Sequence, residues 1–383
     1  MSSVTTVYVD IEIGGCKSGR IVVELFWDKA PLSAQNFKQL CCEGIQVDGK
    51  HVNFRGNRFH RVIKNFMIQA GDVMYGMGDG DEENLGKGGC SIYSKPDEEG
   101  PCRGAFADEN AGEFSEPFLL AMANMGAPDS NSSQFFITTT VAPHLNGKHS
   151  IFGRVLHGKA VVREIEKEPV DSDGVPEKVV MIAGCGEWKE DMPAPLYNAC
   201  NDPIGGDVYE EYPADNTFFG GEEFSKAYDA AVLIKESGTL LFKRKDFQNA
   251  FFKYRKSLNY VNEYIPDVDL DPEQFVRFNG LKQKLYLNMT LALFNLGNYD
   301  TAISYANYLL EMDRVPSMDL AKAYYRRGNC YLAKNRLEDA LSDYKRCREY
   351  NQDEAVEMKI AAVESKLAAR LEKTKKSISK FFQ

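Results

Sequence analysis

The stretch Phe59-His60-Arg61-Val62-Ile63-Lys64-Asn65-Phe66-Met67-Ile68-Gln69-Ala70-Gly71-Asp72 is the most distinctive in the chain, with Arg61 and Gln69 set among apolar side chains. On both sides of it, as far as Glu187, the dominant period is two. Upstream, Val7, Val9, Ile11 and Ile13 alternate with polar residues, Gly14-Gly15 allows a turn, and Ile21, Val23 and Leu25 resume the alternation. That pattern predicts a hairpin with one wet face. Downstream, β-rich stretches are expected at 133–140, 149–155 and 179–183. Only 31–42 and 159–167 read as helices. Pro31 suits a first helical turn, and Phe37, Leu40 and Cys41 share a face. A β-rich domain with two helices is a barrel or a sandwich, and periodicity does not choose between them.

The chain has 383 residues, which at roughly 100–200 residues per domain predicts two or three domains. Its apolar fraction of 43% excludes whole-chain disorder. The longest apolar run, Phe118 to Ala123, is six residues. A membrane helix needs about twenty, so no membrane partner is expected. The N-terminus shows no secretory signal. Nine cysteines, an odd number without a CxxC pair, argue against a zinc module and a secreted disulfide framework, and for reduced thiols in the cytoplasm. The net charge of −10 discourages nucleic-acid binding, yet the acidity is local: 187–223 holds ten acids against Lys189 alone. With Pro193, Pro195, Pro203, Pro213 and Gly205-Gly206, residues 189–222 read as an acidic linker after a first domain of 1–188. Tyr197, Tyr209, Tyr212, Phe218 and Phe219 imply that parts of this linker pack on a domain.

From residue 223 the period becomes helical and a repeat emerges. Phe247-x-x-Ala250, Tyr299-x-x-Ala302 and Leu337-x-x-Ala340 each follow one helix-like run and open another. Gly238, Thr290 and Gly328 stand at the same distance before each alanine, where a small side chain lets paired helices approach. A helix-turn-helix unit of about 34 residues fits, as in tetratricopeptide (TPR) repeats. Three such repeats over 223–352 are expected, with an insertion around 266–272, followed by a capping helix and basic tail at 353–383.

Taken with Met122-Ala123-Asn124, Ser133-Gln134-Phe135-Phe136-Ile137 and Leu145-Asn146-Gly147-Lys148-His149, the opening stretch resembles a cyclophilin over about residues 4–188. The resemblance implies an eight-stranded antiparallel β-barrel with two capping helices, and peptidyl-prolyl cis-trans isomerase activity. An X–Pro bond has a rotational barrier of about 18–20 kcal/mol. Turning it breaks no bond, so the chemistry needs no cofactor, metal or nucleophile. It needs an apolar slot for the ring, a donor that weakens amide resonance, and anchors on the flanking backbone. Carried onto this chain, the resemblance makes Arg61 the donor. Phe66, Met67, Phe136 and Leu145 would line the proline pocket, with His149 at its edge. Gln69, Asn124 and Gln134 would hold backbone groups, and Ala123 would leave room for them. His144 stands where many members carry Trp, which implies weak cyclosporin binding. Met125 adds bulk at the rim, and the loop 73–89 is enlarged. Cys41 and Cys185 match cysteines of divergent-loop cyclophilins, residues 44–55 resemble their extra loop, and Cys90 replaces the expected Glu; a redox role and buried reduced thiols both stay open.

In the helical half, Lys235 and Thr239 share a helix face, as do Lys322 and Arg326. Lys235, Asn288, Lys322 and Arg326 match a carboxylate clamp for a peptide's acidic C-terminus, with Phe242 as an apolar contact. Thr239 replaces the usual Asn, and a hydroxyl donates one hydrogen bond rather than two. A cyclophilin followed by three TPR repeats resembles the cyclophilin-40 class, particularly its fungal members. That implies a co-chaperone docked on the C-terminus of heat-shock protein 90 and acting on proline-containing clients. Competition by heat-shock protein 70 stays open, and a calmodulin-type partner of the basic tail has family precedent. The alternative is a scaffold or holdase whose barrel binds clients with little catalysis.

Overall fold

A computed structural model describes residues 6–78, 82–109 and 112–381, with side chains up to 375 in the last helix. Asp79, Gly80 and Asp81 of the enlarged loop, Phe382, and the tail side chains of Lys376 and Lys380 lie outside the described residues. The chain forms two compact units, Met1–Asn198 and Ala199–Gln383.

In the first unit the elements run β1 (Thr6–Ile13), β2 (Cys16–Leu25), α1 (Pro31–Cys42), β3 (Ile45–Val47), β4 (Lys50–Val52), β5 (Arg61–Ile63) and β6 (Met67–Ala70). They continue with β7 (Gly89–Cys90), β8 (Cys102–Arg103), β9 (Leu119–Met122), β10 (Phe135–Thr138), β11 (Ile151–His157), α2 (Lys159–Lys167) and β12 (Val180–Trp188). Eight strands form one antiparallel sheet in the order β12-β1-β2-β11-β9-β10-β6-β5. Its edges meet where residues just before β5 reach β12: Phe59 N–H donates to Val180 O at 2.9 Å and Ile182 N–H to Asn57 O at 2.9 Å. The edge bonds are therefore satisfied internally, and the sheet is a barrel rather than a sandwich. Inside it, Phe37 of α1 packs against Phe54, Phe135 and Phe152 with ring centroids 4.9–5.3 Å apart. From α2, Val161, Val162 and Ile165 join the same core.

In the second unit, α3 (Phe224–Lys243) and α4 (Phe247–Tyr264), α5 (Pro272–Asn295) and α6 (Tyr299–Leu310), and α7 (Ser317–Ala333) and α8 (Leu337–Tyr350) form three helical hairpins. The last helix, α9 (Glu354–Phe381), caps them by burying Val356, Ile360 and Val363 beside Tyr344 and Cys347 of α8. The small residues sit where the hairpins close. A Cβ on Gly238 would lie 2.9 Å from the Tyr254 ring, and one on Gly328 2.9 Å from the Tyr344 ring. The expected insertion is mostly helix: α4 has 18 residues against 12 in α6, and α5 has 24 against 17 in α7.

The acidic stretch is packed rather than free. On the barrel, Arg20 N–H donates to Pro195 O at 2.9 Å and Tyr197 N–H to Ser18 O at 3.0 Å. In the helical unit the Asp207 carboxylate is wholly buried and takes Lys253 at 2.6 Å and Lys256 at 2.8 Å. Those ammonium groups also donate to the carbonyls of Asp202 and Tyr209. Burying two lysines demands such compensation.

Candidate active site and peptide groove

The two-residue period of the strands divides the barrel residues between two apolar clusters. Val62, Ile68, Ala70, Leu120, Met122, Phe135 and Ile137 face the interior core. Their neighbours Ile63, Met67, Leu119, Ala121 and Phe136 belong to a second cluster with Phe66, Phe114, Ala123, Leu145 and Ile151. Strand register lines up the polar members beside it: Arg61 pairs with Gln69, Gln69 with Phe136, and Phe136 with Ala121. The four expected pocket residues, Phe66, Met67, Phe136 and Leu145, thus share one cluster with Ala123; pleat and register place Met67 and Phe136, and the segments flanking the strands supply the others. Around them, the Phe66 and His144 rings lie 5.1 Å apart, and His149 meets Phe136 edge-on at 5.3 Å. Phe114, stacked 6.1 Å behind Phe136, and Ile63 were not foreseen. Ile63 could have been, since it lies two residues from Arg61 on the same strand face.

The Arg61 side chain is exposed and makes no ion pair or side-chain hydrogen bond among the described residues, so its donors are open to an incoming group. Gln69 Nε2 donates to Gln134 Oε1 at 2.8 Å. Gln134 in turn spends its own amide on the carbonyls of Gly86 (2.9 Å) and Gly88 (2.6 Å). It therefore fixes the end of the enlarged loop, leaving Gln69 as the freer anchor. Asp72 holds the same loop by accepting the N–H groups of Met74, Tyr75, Gly86 and Gly88 at 2.8–3.1 Å. Asn124 Nδ2 donates to Lys148 O at 2.9 Å. His149 Nδ1 lies 3.0 Å from Met122 O, which can only accept, so Nε2 is the free acceptor. Burial lowers the His149 pKa, favouring that neutral form. Met125 is 63% exposed and rests its sulfur 3.7 Å from Cys102 Sγ, outside the apolar cluster.

Burial and the neighbouring Cys185 thiol push Cys41 up, while the Cys41 contact and Arg55 draw Cys185 down. Cys90 lies apart, against Ser91 O and Ser133 Oγ. No cluster able to hold a metal ion occurs among the described residues.

In the helical unit a cavity of about 460 Å³ opens between α5, α7, α8 and α9, lined by Leu291, Phe294, Met318, Lys322, Tyr325 and Arg326 among others. Arg326 donates to Leu287 O at 2.5 Å and has no carboxylate at ion-pair distance among the described residues; burial lowers its pKa. Lys322 is half exposed beside Asp319 at 2.9 Å. Lys235, Thr239, Phe242 and Asn288 do not line this cavity. Lys235 turns to Glu236 at 2.6 Å, and the Phe242 ring packs at a tilt against Phe247, centroids 5.1 Å apart. The Thr239 hydroxyl donates to its own helix, at Lys235 O, and accepts from Tyr254 Oη at 3.5 Å, so its proton is not available as the expected donor.

Comparison with known proteins bears on the family and the fold. The family model for cyclophilin type peptidyl-prolyl cis-trans isomerases matches residues 8–187, and that for the tetratricopeptide repeat matches 321–354. The chain is 59% identical to peptidyl-prolyl cis-trans isomerase CYP7 of Saccharomyces cerevisiae, over 98% of each chain. It is 37% identical to peptidyl-prolyl cis-trans isomerase D of Kluyveromyces lactis, again over 98% of each. The matched relatives span the full length, and the chain, with an isomerase barrel ahead of TPR hairpins, belongs to the cyclophilin-type peptidyl-prolyl cis-trans isomerases, in the cyclophilin-40 arrangement.

Proposed function

We propose that the chain is a cytoplasmic co-chaperone of heat-shock protein 90, an isomerase of proline-containing clients whose helical unit docks on the chaperone's acidic C-terminus. The observation that carries the docking is Arg326, a desolvated guanidinium on a cavity wall with no carboxylate at ion-pair distance among the described residues. Such a cation gains from an incoming carboxylate. Lys322, one turn away, adds a second cation, and Leu291, Phe294 and Met318 offer an apolar wall. Lys235, Asn288 and Phe242 serve as outer contacts; Thr239, with its proton spent on Lys235 O, contributes least.

In the barrel, the prolyl ring enters the cluster of Phe66, Met67, Phe136 and Leu145. Arg61 donates to the prolyl nitrogen as the amide loses planarity, which favours the twisted transition state over either planar isomer. Gln69 and Asn124 hold the flanking backbone.

A peptide with the chaperone's acidic C-terminus is expected to bind wild type and to lose about a hundredfold in affinity when Lys322→Glu and Arg326→Glu are combined. Calorimetric titration showing unchanged affinity overturns the docking. In a coupled X–Pro peptide assay, Arg61→Ala is expected to lower kcat/KM roughly 10²-fold. Equal rates for the two proteins favour the scaffold reading instead.

A further inference from the structure

We infer that Glu166, on α2 and outside the pocket, is a positioning residue that fixes the β5–β6 turn and thereby Phe66 relative to Arg61. The inference rests on the roles proposed above for those two residues.

Glu166 is 5% exposed. Its Oε1 accepts the backbone N–H of Asn65 at 2.9 Å, and its Oε2 accepts from Arg163 Nη1 at 2.9 Å. Asn65 is exposed and left-handed, with φ of 57°. Water can satisfy an exposed turn N–H, so a desolvated carboxylate is a costly way to gain that one bond. What the carboxylate adds is direction. It ties the turn to a helix whose Val161, Val162 and Ile165 are set in the barrel core. A flexible turn becomes an extension of a packed element.

The turn matters because of what it carries. Arg61 opens β5, and Phe66 directly precedes β6. The remaining bonds leave the tip little other freedom: Phe66 N–H donates to Ile63 O at 3.1 Å, Thr139 N–H to Phe66 O at 2.9 Å, and Val62 N–H to Gly174 O at 2.7 Å. With both strands held at their bases, Glu166 sets the angle of the tip. Geometry near a reacting group is sensitive: a displacement of about 1 Å can cost on the order of 10²-fold. The Arg163 guanidinium, 4.9 Å over the Phe118 ring, keeps the Glu166 charge paired.

The test uses the full chain in the coupled X–Pro peptide assay, with Arg61→Ala in parallel. Glu166→Ala is expected to lower kcat/KM roughly tenfold and to shift the Asn65 and Phe66 amide signals. Glu166→Gln keeps an oxygen for the Asn65 N–H and is expected to restore both rate and signals. If the alanine variant does not fold, Glu166→Asp, too short to reach both partners, takes its place. A folded alanine or aspartate variant within about twofold of wild type, while Arg61→Ala is impaired, overturns the inference. So does a glutamine variant as slow as the alanine one. If Arg61→Ala keeps the wild-type rate, the catalytic reading fails separately, and unmoved Asn65 and Phe66 signals in Glu166→Ala then reject the positioning as well.

Discussion

Glu211 lies in the packed stretch before α3 with Arg255 at 3.9 Å and Lys253, Lys256 and Asp207 around it, yet burial holds its carboxyl up at about 7. Desolvation outweighs the cations because the nearest is beyond hydrogen-bond reach. A carboxyl whose folded pKa exceeds its unfolded one stabilises the fold below the unfolded value, and that contribution is lost as pH rises through the folded value. The helical unit should therefore weaken between pH 4.5 and 7, by up to about 3 kcal/mol from this group. Glu211→Gln should flatten that slope in urea titrations at several pH values; an unchanged slope rejects the assignment. Residue-scale features of this kind were hard to read in the sequence. Arg61, Phe66 and Gln69 were legible from their motif. The Gln134 amide spent on Gly86 and Gly88, and the Thr239 proton spent on its own helix, follow from rotamers that no spacing encodes.

At the scale of elements, the small residues of the hairpins offer a sharp test. Tyr344 is fully buried and its hydroxyl donates to Asn329 Oδ1 at 2.9 Å, so the ring cannot yield to a Cβ on Gly328 placed 2.9 Å away. Gly328→Ala gains about 1 kcal/mol of helix propensity but overpacks at a cost of roughly 1–3 kcal/mol. A lowered melting temperature for the helical unit is expected, and an unchanged or raised one rejects the packing argument. Elements with a clean period were foreseen closely: α1 and α2 span the residues expected, and β1 with β2 forms the hairpin expected. The expected strand at 133–140 shrinks to β10, while β12 runs on to Trp188. The hairpin β3–β4 and the short parallel pair β7–β8 have too few residues for a period to show. Barrel closure rests on backbone bonds between 56–59 and β12, which carry no sequence signal.

For the whole molecule, the charge of the acidic stretch is less available than its count suggests, because Asp207 is consumed by Lys253 and Lys256. A helical unit begun at residue 199 keeps that carboxylate; one begun at 223 loses it and leaves both ammonium groups stranded. Breaking a buried pair on one side costs roughly 3–5 kcal/mol. The longer fragment should unfold at clearly higher urea concentration, and equal midpoints would mean that the lysines find water once the stretch is gone.

Inheritance sees the same geometry differently. A gene fusion that joined barrel to repeat between residues 198 and 199 hands on the repeat with its counter-ion built in. A fusion at the first repeat helix hands on two lysines whose partner stayed behind. A seam inside the acidic stretch, upstream of where the repeat begins, is therefore the one that keeps the pair together.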